Sequence, residues 1–327
     1  MLGTEFLPIT RAEMTARGWD RPDFVYVTGD AYVDHPSFGV AIISRVLEAA
    51  GYRVAILSQP NWKTLDDIKR FGRPRLGFLV TAGNVDSMVS HYSVTRHRRS
   101  YDYYSPGGKT GLRPDRATIV YSNLIRQAYG DVPIILGGLE ASLRRFAHYD
   151  YWEDRMRRSL LIDSRADILT YGMGENILVR IADLLDKGVP IKKIRDVRGT
   201  CYLCRADNPE VHYPVATELD WEELKEGGRA YAEAFGAQYR EQDAIGGRAI
   251  IEHYGDKILV QNPPMPRSSA RSSTAFTRSP TRERFIPSTI RTAACPRSRR
   301  SRSRSRITAA ASARAISARS RSIRVEA

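Results

Sequence analysis

Cysteine is scarce in this chain, which has only Cys201, Cys204 and Cys295 among its 327 residues. Three cysteines are too few for a disulfide-stabilised scaffold and are typical of a protein from a reducing compartment. Apolar runs are also short, since none reaches the roughly 20 residues that a membrane-spanning helix needs. The amino terminus lacks the basic-then-apolar pattern of a secretory signal. These absences predict a cytoplasmic protein without a membrane partner.

Net charge is missing from the first 264 residues, which hold 35 basic and 35 acidic side chains. The last 63 residues hold 16 arginines against Glu283 and Glu326, so this tail carries the whole net charge of +14. A basic protein usually indicates a nucleic-acid partner, but here the indication applies to the tail alone. The tail also contains no Gly, Leu, Lys, Asp or Tyr, so its composition differs abruptly from that of the body.

The body alternates short, apolar, β-branched runs with segments of helical periodicity. This alternation predicts parallel βαβ units and a Rossmann-like, doubly wound α/β sheet. We predict strands at 24–28, 52–57, 76–80, 133–136 and 166–172, further β segments at 191–205 and 247–260, and helices that include 62–71, 116–129, 152–161 and 176–185. Three segments follow from this pattern: a Rossmann-like domain at 1–190, a β-containing segment at 191–264 and a disordered tail at 265–327.

Candidate ligand-pocket residues follow the predicted strands, because ligands bind beyond the carboxyl ends of the strands in open parallel sheets. They are Gly29, Asp30, His35, Gly137 and Gly138. Paired glycines let backbone N–H groups approach a ligand closely, although Gly137-Gly138 also suits a tight strand-to-helix turn. For His35, a ligand contact and a helix-capping hydrogen bond both stay open. The sequence assigns no catalytic residue and no metal ligand.

A long polar insertion at 91–115 places basic residues beside tyrosines. Such a combination can bind nucleic acid or phosphate, and a loop of this length is usually functional or mobile. The alternative is a solvated loop that docks on the rest of the molecule.

The pair Cys201-x-x-Cys204 has the spacing of half a zinc site or of a redox pair. No second pair of ligands with suitable spacing accompanies it. The alternative is two unrelated cysteines in a β segment.

Several specific stretches occur in order along residues 1–264. They include Gly29-Asp30-Ala31-Tyr32-Val33-Asp34-His35-Pro36-Ser37-Phe38-Gly39, Gly83-Asn84-Val85-Asp86-Ser87-Met88-Val89, Asp102-Tyr103-Tyr104-Ser105-Pro106-Gly107-Gly108, Gly137-Gly138-Leu139-Glu140-Ala141-Ser142-Leu143-Arg144-Arg145 and Gln261-Asn262-Pro263-Pro264. Together they resemble the N-terminal part of the YgiQ-type radical SAM proteins. A corrinoid-binding domain of this architecture would need Asp-x-His-x-x-Gly, but Val33 precedes His35 by two residues and Phe38 follows it by three, which disfavours cobalamin.

The resemblance implies a radical SAM barrel after the α/β domain, with a Cys-x3-Cys-x2-Cys motif. In that family three thiolates hold a [4Fe–4S] cluster, and the fourth iron is left for S-adenosylmethionine. The implied chemistry is reductive cleavage of S-adenosylmethionine to a 5′-deoxyadenosyl radical, with an unknown small-molecule or macromolecular substrate. The 327 residues contain no such motif. We therefore expect neither cofactor to bind this chain, and we expect it to be inactive as translated.

The tail can be tested for a shifted reading frame, because the genetic code limits what each codon can become. When the third base of each codon is joined to the first two of the next, Ala310-Ala311-Ser312-Ala313-Arg314-Ala315-Ile316-Ser317-Ala318 permits Cys-Phe-Gly-Ala-Cys-Asp-Phe-Cys. This is the cluster motif, and the same offset permits other family-like segments in the tail. We interpret the tail as the product of a frame change close to Pro264.

A second interpretation makes the chain a small-ligand or partner-binding α/β module with an RNA-adhesive tail. Runs of arginine bind phosphate through counterion release, and Arg/Ser-rich segments are disordered. Nonspecific nucleic-acid binding by the tail is expected whatever its origin.

Overall fold

The structure is a computed structural model that describes residues 6–266 and the backbone of 284–285. Nearly all of the tail that we predict to be disordered, 265–327, therefore lies outside the described residues. The strands are β1 Phe24–Thr28, β2 Val33–Asp34, β3 Val54–Ser58, β4 Gly77–Thr81, β5 Ile134–Leu136, β6 His148–Asp150, β7 Arg155–Arg157, β8 Ile168–Thr170, β9 Thr200–Arg205, β10 Val215–Asp220, β11 Ala249–Tyr254, β12 Lys257–Gln261 and β13 Arg284–Phe285. The helices are α1 Arg11–Ala16, α2 Gly39–Ala49, α3 Ser87–His91, α4 Ala117–Tyr129, α5 Gly138–Leu143, α6 Leu160–Ser164, α7 Glu175–Asp186, α8 Trp221–Leu224 and α9 Gly228–Arg240.

Within the described residues, nine strands form one sheet in the order β10-β11-β12-β9-β8-β5-β4-β1-β3. Neighbouring strands from β3 to β8 in this order are parallel. Numbered along the chain, these five strands follow the order 2-1-3-4-5, in which the winding direction reverses between the first and third strands. The predicted doubly wound α/β fold is thus confirmed, and its switch point lies between β1 and β4.

Helices cover both faces of the parallel strands, so β1 and β4 are buried along their whole length. Because side chains alternate along a strand, Val25 and Val27 pack in the same cluster as Tyr121 of α4. Tyr26 points to the opposite face, where Ile177 of α7 belongs to the second cluster. None of the helices that the structure describes is long and apolar enough to cross a membrane.

Beyond β8 the sheet continues with antiparallel pairing through β9, β12 and β11. The edge strand β10 then pairs parallel with β11. The ladder pairs Ile168 of β8 with Tyr202 of β9, so it is continuous across residue 190, the boundary that we predict between the first two segments. Past residue 266, the short strand β13 pairs antiparallel with β2.

Two predicted helices are wrong because local hydrogen bonds favour other structures. Residues 62–71 form turns. The Asp67 carboxylate accepts from the Asn61 backbone N–H at 2.7 Å, and the Asn61 side-chain oxygen accepts from the Lys63 backbone N–H at 3.1 Å. Such side chains compete with the helical ladder. Residues 152–161 instead contain β7, which pairs with β6, and the helix α6 begins only after the capping residue Ser159.

A buried carboxylate joins β11 to the segments that precede β6 and α6. Glu252 of β11 is fully buried, and it accepts hydrogen bonds from the Ala147 backbone N–H at 3.0 Å and from the Tyr254 hydroxyl. The Tyr254 hydroxyl in turn accepts from the Ser159 backbone N–H at 2.8 Å. Burial disfavours the charged form and raises the pKa of Glu252 to about 7.

We predict that Glu252 makes the stability of this protein dependent on pH. The pKa of Glu252 in the folded protein lies above its ordinary value of 4.5. The stability that the protonated side chain contributes is therefore fully present below pH 4.5 and is lost as the pH rises through 7. Glu252→Gln, which resembles the protonated acid, should remove up to about 3 kcal/mol of the difference in unfolding free energy between pH 4.5 and pH 8. Urea unfolding at both pH values measures it.

The matched control is Glu223→Gln, which changes an exposed carboxyl group on α8 and should keep the wild-type pH dependence. An unchanged pH dependence in Glu252→Gln would contradict the assignment.

Candidate functional site

The carboxyl edge of the parallel strands is covered by the insertion, residues 91–115. The Ala31 backbone N–H, just past β1, donates to the Tyr104 carbonyl at 2.9 Å. Gln59, which follows β3, donates from Nε2 to the Gly29 carbonyl at 3.1 Å and to Ser105 Oγ at 2.7 Å. The ends of two neighbouring strands thus hold the middle of the insertion against the switch point of the sheet.

An arginine from the insertion occupies this switch point. The Arg113 side chain is fully buried, with Nη1 3.1 Å from Asp30 Oδ1 and 3.0 Å from the Ala82 carbonyl. Its Nη2 lies 2.9 Å from Asp102 Oδ2. We call Arg113, Asp30 and Asp102 the Arg113 cluster. Two carboxylates and one guanidinium leave this buried group with a formal charge of −1.

Hydrogen bonds from the surrounding loops support both carboxylates of the Arg113 cluster. Asp30 Oδ2 accepts from the Asn84 backbone N–H at 2.7 Å. Asp102 accepts from the Tyr104 backbone N–H and from Ser105 Oγ, each at 2.9 Å. Burial alone lowers the pKa of the Arg113 guanidinium, but the charges of Asp30 and Asp102 outweigh it and raise that pKa. The Arg113 guanidinium is therefore held in its charged form.

Four of the predicted pocket residues meet at this edge and pack tightly there. An idealised Cβ on Gly29 would lie 2.2 Å from the Ala82 carbonyl oxygen and 2.9 Å from Arg113 Cδ. Gly138 has a φ of +85°, and a Cβ there would lie 2.3 Å from Thr81 Oγ1. For Gly137 the nearest atom would be Thr170 Oγ1 at 3.0 Å. These glycines therefore allow the chain to approach itself, and Asp30 binds the chain's own guanidinium.

His35 lies in the adjoining loop before α2. Its Nδ1 accepts from the Ser37 backbone N–H at 3.0 Å, a bond within the loop and not a cap of α2, whose N-cap residue Phe38 has no side-chain capping bond. Asn84 joins this loop to the Arg113 cluster, because its side chain donates to the Ser37 carbonyl at 3.3 Å while its backbone N–H donates to Asp30. The structure thus brings all five predicted residues to one edge, and their role in ligand binding stays a prediction.

A small cavity lies beneath this edge, with room for about one water molecule. Its lining comes from the ends of the parallel strands and from α7, and consists of Tyr26, Leu79, Val80, Ile135, Leu136, Gly137, Thr170 and Leu178. The hydroxyl of Thr170, one of the polar side chains of this lining, already donates to the Leu136 carbonyl at 2.9 Å. A cavity of this size does not hold a cofactor.

Sequence reasoning missed Arg113, Asp102 and Glu140 as organising residues. Glu140 is buried, and its carboxylate accepts from the Ser87 backbone N–H at 2.8 Å and from the Thr118 backbone N–H at 3.0 Å. Glu140 thereby supplies a hydrogen-bond acceptor to backbone N–H groups in the first turns of both α3 and α4, which have no partner within their own helices. Asp102 and Glu140 stand within the family-like stretches, which was a usable signal, whereas nothing in the sequence distinguishes Arg113 from the exposed arginines of the same insertion.

The described cysteines do not fit an iron–sulfur cluster or a zinc site. Cys201 packs with the core beneath α4, whereas Cys204 packs with Tyr202 in a separate cluster. Residues three apart in a strand point to opposite faces, so the two thiols do not converge. Burial raises the pKa of Cys201 to about 12 and also raises that of Cys204, which opposes the thiolate form that metals need. Among the described residues, no group of three or more His, Cys, Asp or Glu side chains is arranged to hold a metal ion.

We predict that Arg113→Met lowers the free energy of unfolding by about 3–5 kcal/mol, because it leaves two buried carboxylates without their counter-charge. Arg113→Lys should cost less, since an ammonium keeps the charge but does not span both carboxylates and the Ala82 carbonyl. Chemical denaturation of the full chain measures both. Arg229→Met is the control, because its exposed ion pair with Glu233 on α9 contributes little. If Arg113→Met unfolds like this control, the cluster does not organise the edge.

Comparisons with known proteins agree with this architecture. A family model described as "Radical SAM N-terminal" matches residues 6–288. A UPF0313 protein of Clostridium perfringens strain 13 is 54% identical over 270 residues, which are 82% of this chain and 40% of that protein. A UPF0313 protein of Clostridium botulinum strain 657 is 52% identical over 266 residues, or 81% of this chain and 41% of that protein. The chain thus spans about two fifths of the length of these relatives.

Among solved structures, the radical S-adenosylmethionine methyltransferase TsrM from Kitasatospora setae aligns with 20% identity and a TM-score of 0.36. The alignment covers 55% of this chain and 28% of that one. This likeness is too distant to carry an argument. The family model and the UPF0313 relatives are sufficient, and they confirm the resemblance found in the sequence: the chain belongs to the radical SAM N-terminal family.

Proposed function

We propose that this chain is the N-terminal α/β portion of a radical SAM iron–sulfur protein and that, as translated, it binds no cluster and cleaves no S-adenosylmethionine. The observation that carries the proposal is the combination of the family match over 6–288 with the absence of Cys-x3-Cys-x2-Cys from the 327 residues. The substrate of the whole protein is left unassigned.

The packing of the described residues supports a structural role for this portion. Arg113 closes the switch point, where a doubly wound sheet usually binds its ligand, and the cavity beneath has room for only about one water molecule. Cys201 and Cys204 face different clusters. The chemistry of the family therefore needs ligands that residues 6–266 do not supply, and the relatives are about two and a half times as long as the aligned part of this chain.

A frame change close to Pro264 explains how the motif is lost. One constant offset converts 310–318 into a permitted Cys-x3-Cys-x2-Cys motif. Sequencing the gene across the Pro264 codon tests this directly. Codons that do not encode the motif in the shifted frame would exclude the explanation, while leaving the family membership intact.

We predict that anaerobic iron–sulfur reconstitution of the full 327-residue chain yields no [4Fe–4S] absorption band and iron far below four atoms per chain. The matched control is the product of the same gene with its reading frame restored at the Pro264 codon, which should bind a cluster under identical conditions. A stoichiometric cluster on the unrestored chain would contradict the proposal. A restored chain without a cluster would exclude the frame change as the cause.

The alternative function, a module that binds a small ligand or partner around Gly29, Asp30, His35, Gly137 and Gly138, requires displacement of Arg113 from Asp30. It would show itself as a ligand-dependent rise in melting temperature. The contacts of Asp30 and His35 within the chain favour the structural role over this module.

A further inference from the structure

The insertion presents an ordered hairpin at its first half. The Arg99 backbone N–H donates to the His91 carbonyl at 2.7 Å, and that of Ser93 donates to the His97 carbonyl at 2.9 Å. Arg96 has a φ of +63° at the tip, where its N–H closes a turn onto the Ser93 carbonyl at 3.0 Å. The cationic side chains of this hairpin therefore project from a defined backbone.

Side chains fix the hairpin to the rest of the molecule at two points. At its base, His91 Nδ1 lies 2.5 Å from Asp115 Oδ1, and the Tyr92 hydroxyl donates to Asp115 Oδ2 at 2.7 Å. At its tip, the Arg96 guanidinium lies 5.0 Å from the centre of the Tyr151 ring and donates to the Tyr151 carbonyl at 2.8 Å. A ligand of this surface would meet a preorganised site, which reduces the entropy cost of binding.

The outer face of the insertion carries an excess of positive charge. Arg98, Arg99 and Lys109 are exposed, and none of them forms an ion pair with a carboxylate among residues 6–266. Of the two carboxylates of the insertion, Asp102 is buried against Arg113, whereas Asp115 contacts His91 and Tyr92 and also interacts electrostatically with Arg98. The Arg98 side chain reaches the segment that carries Lys109, because an idealised Cβ on Gly111 would be 3.9 Å from Arg98 Nη2.

Two tyrosines lie next to the segment that carries Lys109. Tyr101 is 39% exposed and Tyr103 is 55% exposed, and their rings meet edge to face with centroids 5.1 Å apart. Tyr101 packs directly on Gly108, where a Cβ would lie 2.0 Å from its Cε2 atom. The Pro106–Gly108 turn thereby holds the Tyr101 ring in place.

We propose that this face, formed by Arg98, Arg99, Lys109, Tyr101 and Tyr103, binds single-stranded nucleic acid. The cations suit backbone phosphates, and exposed aromatic rings beside them suit the faces of unpaired bases. An anionic membrane would also attract the cations, but Val94 is the one strongly exposed aliphatic side chain of the hairpin, and it offers little apolar area to an acyl layer. This binding is independent of any cluster chemistry and of the arginines in the tail.

The first test removes the stacking rings without changing charge, so that any binding by the tail is identical in all proteins. The full-length chain is titrated with a mixed-sequence single-stranded oligonucleotide and with its duplex. We expect wild type to prefer the single strand, and Tyr101→Leu/Tyr103→Leu to lose about tenfold or more in affinity for the single strand while its affinity for the duplex is unchanged. An unchanged preference in the variant overturns the proposal.

The second test removes charge from the same face. Arg98→Ala/Lys109→Ala should reduce the slope of log K against log salt for the single strand by about 1.4, or about 0.7 for each lost phosphate contact. The matched control is Arg205→Ala/Arg229→Ala, which removes two exposed cations that already have carboxylate partners and should leave the slope unaltered. Equal slopes in the two double variants overturn the proposal.

Vesicles of phosphatidylcholine and phosphatidylserine distinguish the competing partner. Binding to these vesicles should respond equally to the Arg98→Ala/Lys109→Ala variant and its control. A loss confined to the vesicles, with oligonucleotide binding unchanged, would assign the face to a membrane and overturn the nucleic-acid proposal. Melting temperatures of all variants should match wild type, because each replaced side chain is exposed.

Discussion

The guanidinium of Arg113 is the interaction on which the arrangement of the carboxyl edge depends. It sits between Asp30, at the end of β1, and Asp102, in the middle of the insertion. Each of these charges would be costly to bury alone, so the positions of the strand end and of the insertion determine each other. The tight approach of Gly29 to Ala82 and the hydrogen bond from Asn84 to Asp30 belong to the same closed arrangement.

This arrangement changes what the switch point of the sheet means for function. In other doubly wound proteins this crevice receives a ligand, whereas here the chain supplies its own cation and its own carboxylates. The site that sequence reasoning assigned to a ligand is thus formed by intramolecular contacts. The inner side of the insertion fills the crevice with the Arg113 side chain, and its outer side is exposed.

Two separate sources of positive charge must be distinguished in this protein. The tail provides the whole net charge of the chain, because the first 264 residues hold equal numbers of basic and acidic side chains. Within the neutral body the ion pairs are unevenly distributed. Arg113 forms ion pairs with Asp30 and Asp102, whereas Arg98, Arg99 and Lys109 form none with the carboxylates of residues 6–266. A local excess of positive charge therefore arises because the fold pairs some carboxylates with buried arginines. The total composition of the chain does not reveal this excess.

The sequence by itself determined the class of fold, the strands of the parallel sheet and the family. These depend on local periodicity and on specific stretches of residues, which need no knowledge of distant contacts. It also indicated that Gly29, Asp30, His35, Gly137 and Gly138 lie at one edge, because parallel strands place their carboxyl ends together. It failed at 62–71 and 152–161, where side-chain hydrogen bonds and hairpin pairing override helical periodicity. Only the tertiary structure decided that Arg113 fills the switch point, that Cys201 and Cys204 diverge, and that the ladder runs on through β9 to β12. Each of these depends on pairing between residues far apart in the chain, which a one-dimensional pattern does not encode.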